Sequence, residues 1–372
     1  MSVVVAARRT WVGVPGRGHA RHDETRLAAA VLSAAARDAH GARGTRGPAV
    51  DDVVLGNAAG HGGNVARRAA LAAGFGPSVP GLTVDRQCAS GLAAVAVGAS
   101  LVDAGQADTV VAGGVESASR APARAHGPLA YDRASFAPPP WADPGLGAAA
   151  DALARERGIT RRRQHGYAAR SHARVRAAHA AGRLAGETVA VGALDRDEHA
   201  RDLPPVVLDR LPAAFGTGGS VTAASAAPAA DGAAAVVLRP DGAPGLRVLA
   251  ATARGTDPAR PALAPVAAAR AACERAGARL DDVAAIELVE AFAVQALAVA
   301  HDLGVDPLDD DRWCPDGGAL GYGHPFGASG AVAVVRLYAR LVAGGAPAGA
   351  LGLATAAAAG GVGVALLVEV VR

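Results

Sequence analysis

The 372-residue sequence predicts an α/β fold made of two duplicated halves, with an inserted loop domain between the copies. Three observations predict it. Short β-branched runs alternate with alanine-rich helical stretches, as in folds whose strands are buried on both faces. A helix–strand–glycine pattern occurs twice. Cys88-Ala89-Ser90-Gly91 opens a helix running to Gly105, followed by a strand and Gly113-Gly114. Gly327-Ala328-Ser329-Gly330 opens a helix running towards Gly344, followed by a strand and Gly360-Gly361. Chance similarity between alanine-rich helices is the alternative. Between the copies the composition changes, which marks the insertion.

In chain order, the strand candidates are Val3–Ala7, Asp52–Leu55, Leu82–Asp85, Thr109–Gly113, Ala234–Leu238, Val283–Leu288, Ala350–Thr355 and Val364–Val370. The helix candidates are Glu24–Ala39, Ser90–Ala104, Arg162–Ala180, Val266–Ala276, Ala291–Leu303 and Ser329–Val342. The expected division is a first half over 1–115, an inserted loop domain over 116–231, a return strand over 232–245 and a second half over 246–372. Ala121–Gly147, with Pro138-Pro139-Pro140, reads as irregular loop. After it comes a basic helical stretch carrying Arg155, Arg157, Arg161, Arg162, Arg163, Arg170, Arg174 and Arg176. That stretch is either a solvated helix face or a surface for phosphates, on a nucleotide or an acidic carrier protein.

Composition excludes several function classes. Apolar residues make up 51% but aromatics only 3%, so small side chains must fill the core. There is no lysine, and arginine carries all 37 positive charges, a pattern that fits GC-rich coding. A net charge of +3 with no basic stripe interleaved with aromatics argues against nucleic acid. Cys88, Cys273 and Cys314 form no CxxC pair, and their odd, sparse count argues against a disulfide framework and fits a reducing cytoplasm. The run MSVVVAARRT is too short for a signal peptide, and Gly, Pro or charge breaks the longer apolar runs, so no membrane span is expected.

Cys88 lies between a strand and a helix. There the helix dipole favours thiolate, and backbone N–H groups without an intrahelical acceptor can bind an oxyanion. The alternative is a small buried hydrophobe. His324 is fixed in Gly321-Tyr322-Gly323-His324-Pro325-Phe326-Gly327, just before the second duplicated helix. If a two-fold relates the halves, the helix starts face each other and His324 can take the Cys88 proton.

Three blocks resemble the thiolase superfamily, in its acetyl-CoA acetyltransferase-like branch: Arg86-Gln87-Cys88-Ala89-Ser90-Gly91, Glu290-Ala291-Phe292-Ala293 and Gly323-His324-Pro325-Phe326-Gly327-Ala328-Ser329-Gly330. Ala6-Ala7-Arg8-Arg9-Thr10 and Gly113-Gly114-Val115-Glu116-Ser117 extend the likeness over nearly the whole chain. The resemblance implies a thiolase-like fold of two duplicated five-layered α/β halves with the loop domain in the first. It implies that Cys88 accepts an acyl group from a thioester and that His324 activates it. Backbone N–H groups of Cys88 and Gly361 would form an oxyanion hole. Leu146, Ala223, Ala227, Ala291, Phe292 and Phe326 would line the substrate. The family's oxyanion-hole Asn falls on Val289 and its second catalytic Cys on Ala357. One loop glycine falls on Ala359, and a channel serine falls on Ala227.

These departures imply selective loss. Acyl-cysteine formation needs only a thiol, a histidine and an oxyanion hole, whereas α-deprotonation needs a base that Ala357 cannot be. The expected protein is therefore an acyltransferase, suited to specialised metabolism, that passes the Cys88 acyl group to an acceptor needing no α-deprotonation. Decarboxylative, ketosynthase-like condensation is one alternative, and Val289 stands against it because ketosynthases place histidine there. A non-catalytic scaffold is the other, and the retained Cys88 and His324 stand against that. Cys314 is a candidate replacement base, and Cys273 fits helix packing. The expected substrate is an acyl-CoA or an acyl-carrier-protein thioester, with no cofactor and no metal. A homodimer is expected, because the resemblance puts the dimer interface near the Cys88 strand and helix, and the tetramer-forming segment between Arg120 and Gly147 looks shortened.

Overall fold

A computed structural model describes residues 1–40, 49–131 and 133–372. The first half runs β1 (Ser2–Thr10), α1 (Glu24–Asp38), β2 (Asp52–Gly56), α2 (Val65–Ala72), β3 (Leu82–Val84), a 3₁₀ turn (Gln87–Ala89), α3 (Ser90–Asp103) and β4 (Val110–Ser117). The insertion holds a short hairpin, β5 (Ala125–His126) and β6 (Leu129–Ala130), then α4 (Leu146–Glu156), α5 (Arg161–Ala180), β7 (Thr188–Val189) and α6 (Pro205–Leu208). β8 (Asp231–Pro240) returns to the first sheet. The second half follows as β9 (Gly245–Gly255), α7 (Ala264–Ala276), β10 (Val283–Leu288), α8 (Ala293–Asp302), α9 (Ala319–Tyr322), α10 (Phe326–Leu337), β11 (Leu351–Ala358) and β12 (Val362–Val371).

The strand order repeats. One run is β3-β2-β4-β8-β1 and the other β10-β11-β12-β9. β2–β4 is parallel while β4–β8 and β8–β1 are antiparallel. Likewise β10–β11 is parallel while β11–β12 and β12–β9 are antiparallel. The runs join where β1 meets β9 at Val3↔Arg247 and Val4↔Leu246. α1 and α2 cover the outer face of the first run, and α7 covers that of the second. α3 and α10 pack on each other between the two runs. The five layers therefore extend across the whole molecule, and each half supplies one sheet, its outer helices and one central helix.

This arrangement explains the composition. A helix between two sheets has no solvent face, so α10 is buried continuously from Gly327 to Leu337. Glycine lets the two central helices touch through their backbones: a Cβ on Gly91 would lie 2.7 Å from the Gly327 carbonyl oxygen. Phe326–Ala343 is apolar and long enough to cross a bilayer, but it is the core helix of this layer and its turn-like extension, 67% buried.

β9, α2 and α4 were not legible in the sequence. β9 (GLRVLAATARG) is poor in β-branched residues, α2 spans eight residues, and α4 starts inside the Pro/Gly-rich segment that reads as loop. The basic stretch on α4 and α5 holds the insertion to its neighbours. Arg157 pairs with Asp302, Arg163 with Asp306 and Arg174 with Asp311, while Arg170 donates to the carbonyls of Asp310 and Trp313. Half of these eight arginines thus clamp onto the second half, and Arg161 and Arg176 bind Leu211, Gly219 and Asp202 within the insertion, so the reading of the whole stretch as a free phosphate surface is corrected.

Candidate active site

β3 ends at Val84, and the next residues wind into a tight turn. Asp85 accepts a hydrogen bond from the Gln87 N–H at 2.8 Å. Ser90 Oγ accepts from the Arg86 N–H at 2.7 Å and donates to the Gln87 carbonyl at 2.6 Å. Gln87 is forced to φ +51°, a left-handed conformation costing a non-glycine residue about 1 kcal/mol or more. The turn sets Cys88 half-buried at the entrance to α3. Burial, then the nearby Glu116 carboxylate, push its thiol up to about 12, against a lesser pull from its own N–H. The expectation that the helix start favours thiolate is therefore corrected: desolvation and a buried anion outweigh the dipole, so the resting group is a thiol.

His324 is buried, and burial pushes its imidazole down to about 4, so it is neutral at pH 7. Its Nδ1 lies 2.7 Å from Ser329 Oγ, which is 2.9 Å from the Pro325 carbonyl oxygen. A carbonyl cannot donate, so Ser329 gives its single proton to Pro325 and accepts from Nδ1–H. That leaves Nε2 as a bare acceptor, and Nε2 has no protein partner. His324 is anchored from the insertion side by its N–H to the Pro228 carbonyl, 2.8 Å, and Phe326 packs edge-on at 5.0 Å. The start of α10 packs against the Cys88 turn.

One apolar cavity of about 40 Å³ gathers Cys88, Leu146, Ala291, Phe292, Ala357, Ala358 and Ala359, with Gln295 among the remaining lining residues. His324, Phe326, Val289, Ala223, Ala227 and Gly361 do not line it. Val289 is in the core, its N–H bonded to the Thr355 carbonyl at 2.9 Å. Ala227 donates its N–H to the Ala291 carbonyl at 2.9 Å and so braces the loop behind the cavity. Ala223 is exposed. The Gly361 carbonyl accepts the Thr256 N–H at 2.6 Å, and its Cα is pressed against that segment. The turn segment facing Cys88 is thus Ala357–Ala359, two to four residues upstream of the glycine expected from the sequence. Cys314 is fully buried, its thiol bonded towards the Leu288 carbonyl, and it too lies outside this lining. Although Ala357, Ala358 and Ala359 line it, the cavity remains small.

Two buried acids that sequence reasoning left without a role hold the frame. Glu116, at the end of β4, accepts from the N–H groups of Ala58, Ala59 and Gly327 and from Asn57 Nδ2, at 2.9–3.1 Å. Gly327 is in the first turn of α10, so Glu116 satisfies an orphan donor at the positive end of that helix and ties the halves together. Glu290 accepts from Tyr167 (2.6 Å), Ser171 (2.7 Å) and the Leu320 N–H (3.1 Å), tying α5 to the second half. Burial raises both carboxyls, and these hydrogen bonds oppose it. Their adjacency to the motif glycines and to Ala291-Phe292 was the available signal, but a buried acid looks like any other in sequence. Among the described residues no cluster of metal-ligating side chains occurs.

A duplicated, five-layered α/β frame with a cysteine and a histidine at its two central helix starts defines a class, and comparison places the chain within it. The family models "Thiolase, N-terminal domain" and "Thiolase, C-terminal domain" match residues 2–242 and 243–370. The chain belongs to the thiolase family, a family of acyltransferases. It is 40% identical to "Putative acetyl-CoA C-acetyltransferase YhfS" of Bacillus subtilis (strain 168), covering 86% of this chain and 88% of the relative. It is 34% identical to an acetyl-CoA acetyltransferase of Syntrophomonas wolfei, over 99% and 98%. The crystal structure of the Bacillus anthracis acetyl-CoA acetyltransferase superposes with a TM-score of 0.89 at 32% identity, covering 100% of this chain and 98% of that one.

Proposed function

We propose that the protein takes an acyl group from an acyl thioester onto Cys88 and transfers it to an acceptor that needs no enzyme-catalysed α-deprotonation. The observation that carries this reading is the lining of the cavity, where Cys88 is the sole ionisable side chain and faces Ala357–Ala359. A thiol on the turn that packs against α10 and a neutral imidazole just before that helix support general-base acylation. His324 Nε2 takes the Cys88 proton as Sγ attacks the thioester carbonyl. The carbonyl electrons move onto oxygen, where backbone N–H groups of the Cys88 and Ala357–Ala359 turns receive them. Collapse breaks the bond to the leaving thiol, which takes the proton from His324. Drawing a proton from an acyl α-carbon needs a base in the cavity, and alanine is not one.

The donor is an acyl-CoA or an acyl-carrier-protein thioester, as relatives named for acetyl-CoA suggest. β3 ends the strand order with one edge unpaired and Leu82 exposed, which supports a homodimer through that edge, and three free cysteines fit the cytoplasm. Intact-protein mass spectra after incubation with acyl-CoAs and acyl-carrier proteins test the reading. A single acyl adduct is expected on the wild type and none on Cys88→Ala; an adduct that persists on Cys88→Ala would sink the assignment. Light scattering is expected to give a dimer, and a dominant tetramer at micromolar concentration contradicts the assembly.

A further inference from the structure

Gln295 sits in the first turn of α8, 1% exposed, and lines the Cys88 cavity. Its Oε1 accepts the N–H groups of Ala291 (2.8 Å) and Phe292 (3.3 Å). Those two donors fix the amide orientation, because a flipped amide would set its NH₂ against two N–H groups. The remaining group, Nε2, is buried and has no partner in the protein. Leaving a buried donor unpaired costs its full desolvation, so a site that keeps one is built for an acceptor from outside. The other side chains around this cavity are apolar except for Cys88. A cavity of about 40 Å³ takes only a few heavy atoms.

We infer that Gln295 is a catalytic residue: its Nε2–H donates to the carbonyl oxygen of a short, acetyl-sized acyl thioester and holds the negative charge that forms there. This rests on the acyl-Cys88 reading and adds to it a side-chain oxyanion donor and a substrate class. In the step, Cys88 Sγ bonds to the carbonyl carbon, its proton passes to His324 Nε2, and the carbonyl electron pair settles on the oxygen facing Gln295. Expulsion of the CoA thiol, reprotonated from His324, restores the carbonyl. The alternative is a purely structural amide that caps the Ala291-Phe292 turn through Oε1 alone.

Gln295→Glu separates the two, since it keeps an oxygen for the cap and makes the donor pH-dependent. A carboxyl in this apolar cavity donates when protonated and cannot when ionised. With acetyl-CoA, acylation of Cys88 in Gln295→Glu should fall steeply from pH 6 to pH 9 while the wild type stays flat. Gln295→Met should lose about 10²-fold at both pH values. The ¹³C-labelled carbonyl stretch of acetyl-Cys88 should move to higher frequency in Gln295→Met. Thermal melts establish that each variant is folded. Acylation of folded Gln295→Met within twofold of wild type, with an unmoved carbonyl stretch, overturns the inference. If wild type forms no adduct at all, the acyl-Cys88 reading falls. The donor is then tested by acetyl-CoA affinity in the Cys88→Ala protein, where Gln295→Met should weaken binding about threefold to tenfold and an unchanged affinity overturns it.

Discussion

The two halves share one strand order and differ at one connection. In the second half, β11 passes to β12 through Ala359–Gly361. At the matching point of the first half, between β4 and β8, the chain leaves for residues 118–230 before returning. The central helix starts differ too: α3 follows a strained turn bearing a thiol, and α10 follows a glycine loop bearing an imidazole. The frame is therefore generic and repeats, while the chemistry is set by what each copy places at its helix start and in its hairpin. The insertion then braces both, through Pro228 on His324, Tyr167 on Glu290 and Leu146 on the cavity.

The largest expected effect comes from removing the second half's contribution. His324→Ala should slow Cys88 acylation by about 10²–10⁴, read as the rate of adduct formation; a loss under tenfold would show that the two helix starts do not cooperate. Wild-type protein should give almost no acetoacetyl-CoA thiolysis by absorbance, and Ala357→Cys, which places a thiol in the hairpin, should raise it. Val289→Asn should add little and cost stability, because that side chain lies in the core and not on the cavity. Wild-type turnover at about 1–10³ s⁻¹ would mean that another group supplies the base.

Next in size is the pH response. His324 titrates near 4 when folded against 6.5 when free, so between those values the unfolded chain holds more protons. Its contribution is fully present above pH 6.5 and is lost as pH falls towards 4, about 3 kcal/mol for a shift of this size. His324→Gln should flatten that part of the stability–pH curve in denaturant titrations. Acylation by the wild type should hold level above pH 5 and fall as the imidazole protonates.

Gly91→Ala should cost about 1–3 kcal/mol by overpacking, because its methyl meets the Gly327 carbonyl; a neutral melting shift would mean that the central helices are not in tight contact. Opposite in sign to His324 is Glu287, buried on β10 and pushed up to about 8 chiefly by burial. Folding there favours the protonated carboxyl, so stability is highest below the free value of 4.5 and falls as pH rises from there to about 8. Glu287→Gln should gain stability relative to wild type progressively as pH rises from about 4 to 8, with no further gain between pH 8 and 9.

Most of the frame was legible because strands buried on both faces write themselves as β-branched runs, and Val283–Leu288 was recovered residue for residue. β9 was not, since pairing with β1 and β12 holds it as a strand without that composition. At the site, the motif blocks marked Cys88, Phe292 and Ala357 as neighbours of the chemistry. They could not show that the Gly361 carbonyl is bonded to Thr256, nor that Gln295 keeps an unpaired Nε2 and Ser329 fixes the His324 tautomer.

The sequence by itself determined the duplication, the insertion and the family, and it singled out Cys88 and His324 as candidates, because periodicity and short motifs are local properties of a chain. Only the tertiary structure decided the protonation states and the lining of the cavity. A thiol at a helix start reads as acidified until burial and Glu116, 28 positions away, reverse the sign. The Gln295 amide is oriented, and its Nε2 left unpaired, only once folding has brought the Ala291 and Phe292 N–H groups onto its Oε1.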